Sequence, residues 1–278
     1  MFLDREQLKK FCDDGYLLVR NVFTSDEVAA MRGRVGEYLS RQREYPSAWV
    51  QVEAKVTDGS VKVAQETKGY RKLAHITMVD PLFHDMVVQP KFSGILQDCL
   101  ESKNICAWGS GVFLKQSQTG MRQPWHRDAH DYAGLSGTIW SPLMDATIEN
   151  GCIQVAPGSH KTKVPTEDVI AVNADEEENY HVGRFSHEIR FLEMKAGDIV
   201  LWNMRTLHSS DPNLSDGPRW ALAVHCVTTE AALAVSGADR GPHELIAGDH
   251  DERTAEAVGC AHCYPNRFAA FAPSGGYK

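Results

Sequence analysis

Residues 197–227 read GDIVLWNMRTLHSSDPNLSDGPRWALAVHCV and contain two short apolar segments with a polar stretch between them. The first segment, residues 199–202, follows the turn signal Gly197-Asp198, and the second covers residues 220–227. Short apolar runs that are bounded by glycine, proline or aspartate are typical of buried β-strands. This stretch therefore predicts two strands joined by a polar loop.

Four further segments of this kind precede it, at residues 106–114, 137–144, 152–156 and 189–194. No amphipathic helix pattern separates them, and strands at this spacing indicate an antiparallel sandwich or barrel. We therefore predict one domain that is mainly β with flanking α-helices. Its parts are a helical N-terminal part over about residues 1–103, a β core over about 104–230 and a C-terminal extension at 231–278.

The first forty residues predict a helix, a strand and a second helix. Asp4 can cap a first helix, and Gly15 supplies its end. Residues 16–19 are a short apolar run, and Thr24 and Glu27 have the spacing of a capping box that opens the second helix.

Weaker secondary-structure signals follow as far as residue 100, and a loop signal lies within the β core. The weak alternation of residues 50–64 around Asp58-Gly59 predicts a hairpin. Further helices are predicted to open at Asp80-Pro81 and to cover residues 92–100. Residues 161–187, which carry four consecutive acidic side chains, predict an inserted, solvated surface loop.

The composition is that of an ordinary globular protein, with 42% apolar and 24% charged residues in 278. A formal net charge of −8 argues against nucleic acid as a partner. The seven cysteines are an odd number spread along the chain, which is not a disulfide framework. No signal segment and no apolar run of about 20 residues is seen. We expect a reduced, soluble, cytoplasmic protein with no membrane partner; its oligomeric state stays open.

The motif Trp125-His126-Arg127-Asp128 places an imidazole and a carboxylate two residues apart. In an extended segment both side chains point to one face. They are two of the three ligands in the facial triad of non-haem Fe(II) oxygenases. Alone, however, the pattern occurs often by chance, and a surface turn would explain it better.

His208 and Arg219 supply the support that this motif lacks. His208 follows the predicted strand at 199–202 and can face the same centre as a third ligand. Arg219 lies eleven residues further on, and arginine is suited to bidentate binding of a carboxylate. Taken alone, His208 could be a histidine in a loop, and Arg219 could be a partner in a surface ion pair. The ordered set of His126, Asp128, His208 and Arg219 favours a metal centre beside a carboxylate-binding residue.

Four blocks of motif residues occur in order along the chain. They are the helix–Gly15-Tyr16–strand–helix opening; Phe113-Leu114-Lys115 ahead of Pro124-Trp125-His126-Arg127-Asp128; Glu149-Asn150-Gly151-Cys152 with Ala156-Pro157-Gly158-Ser159-His160; and Gly197-Asp198 with His208-Ser209-Ser210, Asn213, Ser215 and Arg219. In these blocks the chain resembles the phytanoyl-CoA dioxygenase family of Fe(II)/2-oxoglutarate-dependent oxygenases. The resemblance extends over nearly the whole length.

The resemblance implies a double-stranded β-helix core, a jelly-roll and cupin-like fold, with iron near one open end. By the same resemblance His126, Asp128 and His208 bind the Fe(II), which leaves three iron positions open for the co-substrates. Arg219 is expected to bind the distal carboxylate of 2-oxoglutarate, helped by the Ser210 hydroxyl.

Four further residues are assigned with alternatives left open. Trp140 falls where relatives tend to place an aromatic residue near 2-oxoglutarate, although a plain core position also explains it. Lys115 either reaches the co-substrate or extends from a strand edge. Tyr132 is expected to line the substrate pocket or to pack against it, and His75 lies in a region that often faces the substrate in relatives.

The implied activity is that of an oxidoreductase, a dioxygenase that uses Fe(II), 2-oxoglutarate and O2 to hydroxylate a small organic molecule. Succinate and CO2 are released, and a tailoring step in specialised metabolism is favoured. Halogenating relatives replace the carboxylate ligand with Gly or Ala, so Asp128 predicts oxygenation. Desaturation, epoxidation and ring formation would use the same ligands and stay open.

Two other classes of protein also stay open. One is a cupin-like metal enzyme without 2-oxoglutarate, which would have no need of Arg219 as a carboxylate clamp. The other is a binding protein without turnover, against which the intact ligand set argues. Cys260-Ala261-His262-Cys263 resembles half a zinc site, but no second ligand pair follows at a usual spacing, so we interpret these thiols as incidental.

Overall fold

The computed structural model describes residues 1–117, 120–128, 136–162, 188–234 and 243–248. Tyr132, most of the predicted loop at 161–187 and the segment 260–263 lie outside these ranges. The α-helices are α1 (Arg5–Asp14), α2 (Ser25–Leu39), α3 (Ala54–Thr57), α4 (Ile76–Val79), α5 (Pro81–Val88), α6 (Pro90–Leu100) and α7 (Thr229–Ala234). The strands are β1 (Tyr16–Val19), β2 (Val50–Val52), β3 (Tyr70–Ala74), β4 (Ile105–Lys115), β5 (Gln123–His126), β6 (Ser136–Pro142), β7 (Ile153–Val155), β8 (Arg190–Leu192), β9 (Ile199–Asn203), β10 (His208–Ser210), β11 (Arg219–Thr228) and β12 (Glu244–Ala247).

The capping signals of the N-terminal part are confirmed. The Asp4 carboxylate accepts a hydrogen bond from the Gln7 amide at 2.8 Å, and Gly15 ends α1 in the left-handed conformation. At the start of α2, the Thr24 hydroxyl accepts from the Glu27 amide at 3.3 Å and the Glu27 carboxylate accepts from the Thr24 amide at 2.8 Å. The helices expected near residues 80 and 92 are α5 and α6, which are joined at Gln89.

The predicted hairpin over residues 50–64 is wrong. Only β2 of this segment is extended, and it pairs with the later strand β3, with Val50 opposite Leu73. Asp58 and Gly59 do form a turn, but this turn ends α3, and the Asp58 carboxylate accepts from the Ser60 amide at 2.8 Å. A turn signal shows where the chain reverses, whereas strand pairing depends on which apolar faces meet. The weak alternation of valines here carried no information about that partner.

Two antiparallel sheets form the β core within the described ranges. The first has the order β1-β9-β6-β11-β4-β3-β2, with β12 also paired to β4, and the second has the order β5-β10-β7-β8. The six apolar segments expected from the sequence are β4, β6, β7, β8, β9 and β11, with small shifts at their ends. This is the double-stranded β-helix with flanking helices that was predicted.

Apolar side chains cover both faces of the first sheet. One face packs against the helices, where Val112 and Leu222 share a core with Phe83 and Leu96. The opposite face packs against the second sheet, and its apolar contacts include Ala223. Because the central strands are buried on both faces, they read as continuous apolar runs instead of alternating ones.

The turn at Gly197-Asp198 joins the N-terminal part to the β core. Asp198 is buried, and its carboxylate accepts from Arg20 Nη1 at 2.6 Å, the Asn21 amide at 3.0 Å and the Lys195 amide at 2.8 Å. Gly197 has φ +92°, and a Cβ there would lie 2.5 Å from the Phe23 carbonyl oxygen. The motif Gly-Asp therefore serves the architecture of the fold.

A second buried carboxylate, Asp80, links α2 to α5. Asp80 is 1% exposed and caps α5 through the Leu82 amide at 2.9 Å. Its oxygens also accept from Arg34 Nη1 at 2.5 Å and from the Tyr38 hydroxyl at 2.6 Å. Burial opposes ionisation, but the bonds from Tyr38 and Arg34 hold the pKa of this carboxyl below its ordinary value.

We expect Asp80→Asn to lower the free energy of unfolding at pH 7 by about 1.5–3 kcal/mol, the range for hydrogen bonds to a charged group. An unfolded Asp titrates near pH ~3.9, and the folded-state pKa lies below that. The charge-dependent stability is therefore complete well above pH ~4 and is lost as the pH falls through the folded-state pKa.

Urea unfolding of wild type and variant at a series of pH values measures this difference. Asp85→Asn is the matched control, because Asp85 is exposed on the same helix. A stability gap of equal size at pH 7 and at the acid end of the series would contradict the assignment.

Candidate metal centre

Two histidines meet on neighbouring strands of the second sheet. His126 ends β5 and His208 begins β10, and they are register partners with ring centres 4.2 Å apart. The Nδ1 of His126 lies 2.7 Å from the Pro124 carbonyl oxygen, and that of His208 lies 3.0 Å from the Thr206 carbonyl oxygen. A ring that donates from Nδ1 to a carbonyl presents Nε2 as its metal-binding atom.

Asp128 brings a carboxylate to the same point. Its Oδ1 lies 3.6 Å from His126 Nε2 and 3.5 Å from His208 Nε2, and the three candidate ligand atoms all lie within 4.8 Å of one another. Two imidazole nitrogens and one carboxylate oxygen are the donor set of non-haem Fe(II) enzymes. The residues present therefore fit a ferrous ion.

Burial and mutual charge set the protonation of these groups. Burial, with the neighbouring His208, lowers the pKa of His126 to about 4. Burial also acts to lower the pKa of His208, but the Asp128 carboxylate outweighs it and raises that pKa above its ordinary value. Burial opposes ionisation of Asp128, yet the charge of His208 holds the pKa of its carboxyl well below the usual range. The cluster thus combines an anionic carboxylate with a neutral His126, and His208 is the more readily protonated of the two histidines.

Arg219 projects into the same cavity from the start of β11. The side chain is 3% exposed, and its Nε and Nη1 atoms have no hydrogen-bond partner among the described residues. The guanidinium carbon lies 5.2 Å from the centre of the Trp140 ring. Burial lowers the Arg219 pKa to about 10, so the group stays cationic at neutral pH. Buried, unpaired donors of this kind suit a bidentate carboxylate.

Lys115 is register partner to Arg219, but its amine serves a neighbouring loop. Lys115 Nζ donates to the Ser210 carbonyl oxygen at 3.1 Å, to the Ser210 hydroxyl oxygen at 2.7 Å and to the Asp211 carbonyl oxygen. Burial and the Arg219 charge lower the Lys115 pKa, whereas the three oxygens around Nζ favour the protonated amine, which has one hydrogen for each of them. Since the Ser210 oxygen accepts from Lys115, the Ser210 hydroxyl hydrogen is left to donate elsewhere.

One cavity of about 240 Å³ is lined both by the three candidate metal ligands and by the residues around Arg219. From the predicted set, its walls include His126, Asp128, His208, Ser210, Arg219, Trp140 and Lys115. His75 is not among the lining residues; its ring lies 5.2 Å from that of Trp49. Tyr132 lies outside the described ranges, so both substrate-side assignments stay predictions.

A polar wall that the sequence reasoning missed completes the cavity. Its members come from the β2–β3 region and from β5: Gln51, Glu53, Arg71, Lys72 and Gln123. Glu53 is 3% exposed, burial raises its pKa, and one of its oxygens accepts from the Met121 amide at 3.4 Å. Arg71 Nη2 donates to the Gln123 amide oxygen at 2.5 Å.

Lys72 of β3 contributes a lysine side chain to this wall, and it passes beside Gly111 of β4. Its Nζ lies 4.6 Å from the centre of the Phe113 ring, and burial lowers its pKa to about 8. A Cβ at Gly111 would collide with the Lys72 side chain and lie 2.9 Å from the Leu73 carbonyl oxygen. Gly109 and Gly111, which flank Ser110 in this apolar strand, could have indicated this contact from the sequence. Glycine inside a strand often marks a place where another part of the chain approaches the backbone closely.

None of the helices in the described ranges combines the length and the apolar character that a membrane span requires.

Residues 11–221 match the family model for phytanoyl-CoA dioxygenase (PhyH). Among curated relatives, a phytanoyl-CoA dioxygenase domain-containing protein 1 homolog of Dictyostelium discoideum is 25% identical, covering 82% of this chain and 92% of the relative. The phytanoyl-CoA dioxygenase domain-containing protein 1 of Mus musculus is 28% identical, with 84% and 92% covered.

Solved structures share the fold at lower identity. EctD from S. alaskensis, crystallised with 2-oxoglutarate and 5-hydroxyectoine, superposes with a TM-score of 0.68 at 20% identity, over 83% of this chain and 78% of that one. The α-ketoglutarate-dependent carbocyclase SnoK from nogalamycin biosynthesis superposes with a TM-score of 0.61 at 21% identity, over 91% and 90%.

We expect the binding of a divalent metal to release a proton near pH 6. His208 has a raised pKa, so below that pKa its ring carries a proton that the metal must displace. Apparent affinity for Co(II) should therefore rise by up to roughly tenfold per pH unit below this pKa and level off above it. Calorimetric titration with Co(II) at pH 6, in two buffers of different ionisation enthalpy, counts the protons. Zero release would contradict the assigned state of His208.

Proposed function

Because the chain belongs to the phytanoyl-CoA dioxygenase family and is an Fe(II)- and 2-oxoglutarate-dependent dioxygenase, we propose that it hydroxylates a small organic molecule bound in this cavity. Succinate and CO2 are the co-products. Fe(II) is assigned to His126, Asp128 and His208, and the distal carboxylate of 2-oxoglutarate to Arg219 and Ser210. The observation that carries the proposal is the convergence of three metal donors and an unpaired, buried guanidinium on one cavity.

Fe(II) supplies the activation of O2 that is coupled to decarboxylation of 2-oxoglutarate. The residues of the chain bind the co-substrate and orient it. Arg219 offers two parallel donors to a carboxylate, and the Trp140 ring beside it limits where the guanidinium can turn. Lys115 acts through Ser210: it fixes the serine oxygen and so directs the hydroxyl hydrogen toward the cavity. Lys115 is therefore assigned as a positioning residue instead of a direct contact.

The polar wall supports a polar substrate, or a polar part of one, at the side of the cavity formed by β2 and β3. Glu53 offers a buried acceptor, and Arg71 and Lys72 offer cationic donors. A cavity of about 240 Å³ that also holds 2-oxoglutarate leaves room for a small reacting group. EctD, which has this fold, was crystallised with 5-hydroxyectoine, and SnoK, which also has it, is a carbocyclase from nogalamycin biosynthesis. The origin of SnoK supports the proposal of a tailoring step in specialised metabolism.

The decisive test uses full-length protein purified without oxygen and loaded with Fe(II) and 2-oxoglutarate. Oxygen is admitted with candidate substrates, and succinate and 2-oxoglutarate are quantified. Substrate-stimulated succinate with a product heavier by one oxygen supports hydroxylation, whereas a product that has lost two hydrogens indicates desaturation or ring formation. No succinate above background, in protein that binds iron, would favour a cupin-like metal enzyme or a binding protein.

We expect His126→Ala and His208→Ala each to abolish iron binding, because either change leaves only two protein ligands. Anaerobic titration with Fe(II), followed by metal analysis of the protein after desalting, measures the retained iron. Arg219→Ala, assigned to the co-substrate, should retain iron as wild type does. Full iron occupancy in either histidine variant would contradict the ligand assignment.

We expect Arg219→Ala to weaken 2-oxoglutarate binding by about 2–5 kcal/mol, the range for removing one partner of a buried charge pair. Calorimetric titration of the Co(II)-loaded protein with 2-oxoglutarate gives the affinity. Arg205→Ala is the control, because Arg205 is an exposed arginine just before β10. If Arg219→Ala bound 2-oxoglutarate as wild type does, the clamp would lie elsewhere.

A further inference from the structure

The two oxygens of Asp128 face different partners. Oδ1 faces the Nε2 atoms of His126 and His208, at 3.6 and 3.5 Å. Oδ2 accepts hydrogen bonds from the Thr138 hydroxyl at 2.6 Å and from the Trp202 indole nitrogen at 2.8 Å. Both donors are neutral side chains, and both point at the same oxygen. One carboxylate oxygen therefore faces the histidines, and the other faces the first sheet.

The two donors are rigidly placed. Thr138 on β6 and Trp202 on β9 are register partners in the first sheet, and both are buried. The Trp202 ring also lies 4.5 Å from the ring of His208, so it contacts two members of the candidate metal cluster. The pairing of β6 with β9 fixes where both side chains start, and their burial in the core limits how far they can move.

His225 on β11 continues this network behind Thr138. Its Nδ1 lies 3.0 Å from the Thr138 hydroxyl oxygen. Because the single hydroxyl hydrogen of Thr138 is given to Asp128, His225 is the donor to Thr138. The His225 ring stacks on Trp108, with ring centres 4.9 Å apart. The Thr138 hydroxyl is thus oriented from behind and has one hydrogen, directed at Oδ2.

We propose that Thr138 and Trp202 are positioning residues that hold Oδ2 so that Asp128 offers the metal Oδ1 alone. The proposal rests on Asp128 being an iron ligand, as assigned above. A carboxylate that bound through both oxygens would occupy a further coordination position. Two donors on Oδ2 keep that position for the co-substrates, and they stabilise the negative charge that the metal needs.

The test compares Thr138→Val and Trp202→Phe with wild type by Co(II) titration, followed through calorimetry and the visible absorption of bound Co(II). Each variant removes one donor; Thr138→Val keeps the side-chain volume, and Trp202→Phe keeps an aromatic ring but a smaller one. We expect affinity to fall about 10–100-fold in each, the usual effect of losing a bond to a metal ligand, and the Co(II) spectrum to change. Thr138→Ser keeps the hydroxyl and should restore both readouts.

Trp220→Phe is the control for loss of an indole, because Trp220 on β11 packs in the other core, against the helices. Wild-type affinity and an unchanged spectrum in folded Thr138→Val and Trp202→Phe would overturn the proposal. If Trp202→Phe does not fold, the Thr138→Val and Thr138→Ser pair decides alone. Asp128→Ala tests the metal-site assignment separately from the role of Thr138 and Trp202. If this variant still binds Co(II) normally, the metal-site assignment itself fails.

Discussion

A single buried carboxylate is the constraint on which the site depends. Asp128 follows β5 of the second sheet, yet one of its oxygens is bound by β6 and β9 of the first. Burying a charge costs several kcal/mol unless it is paired and hydrogen-bonded. Two imidazoles on one side and two neutral donors on the other meet that requirement. The same bonds that stabilise the buried charge also link the two sheets at this point.

The sequence was a good guide wherever a local rule decides the outcome. Capping pairs such as Thr24 and Glu27 define helix starts, and apolar runs define the central strands. The grouping of His126 with Asp128 needed only the geometry of an extended chain. His208 was harder to place, because its approach depends on β10 pairing with β5, and it was the resemblance of the whole motif series that made the grouping convincing.

What could not be read from the sequence depends on side-chain direction and on distant pairing. Lys115 is a lysine beside Arg219, yet its amine donates to the carbonyl oxygens of Ser210, the last residue of β10, and of Asp211. Lys72, much earlier in the chain, reaches the cavity because β3 pairs with β4 and Gly111 leaves space. A net charge of −8 also gave no sign that cationic side chains gather in this wall. The mistaken hairpin at residues 50–64 concealed the strand that carries part of it.

Part of the polar wall lies on a strand that carries none of the candidate metal ligands. β2, which carries Gln51, is the terminal strand of the first sheet, whereas His208 begins β10 and Arg219 begins β11, which are each paired on both sides. His126 lies on β5, the terminal strand of the second sheet. Side chains on a terminal strand can be exchanged while the pairing of the inner strands stays intact. Gln51 can therefore be exchanged with little disturbance to the strands that carry His208 and Arg219, so β2 is a place where the cavity wall can change while those two side chains keep their positions.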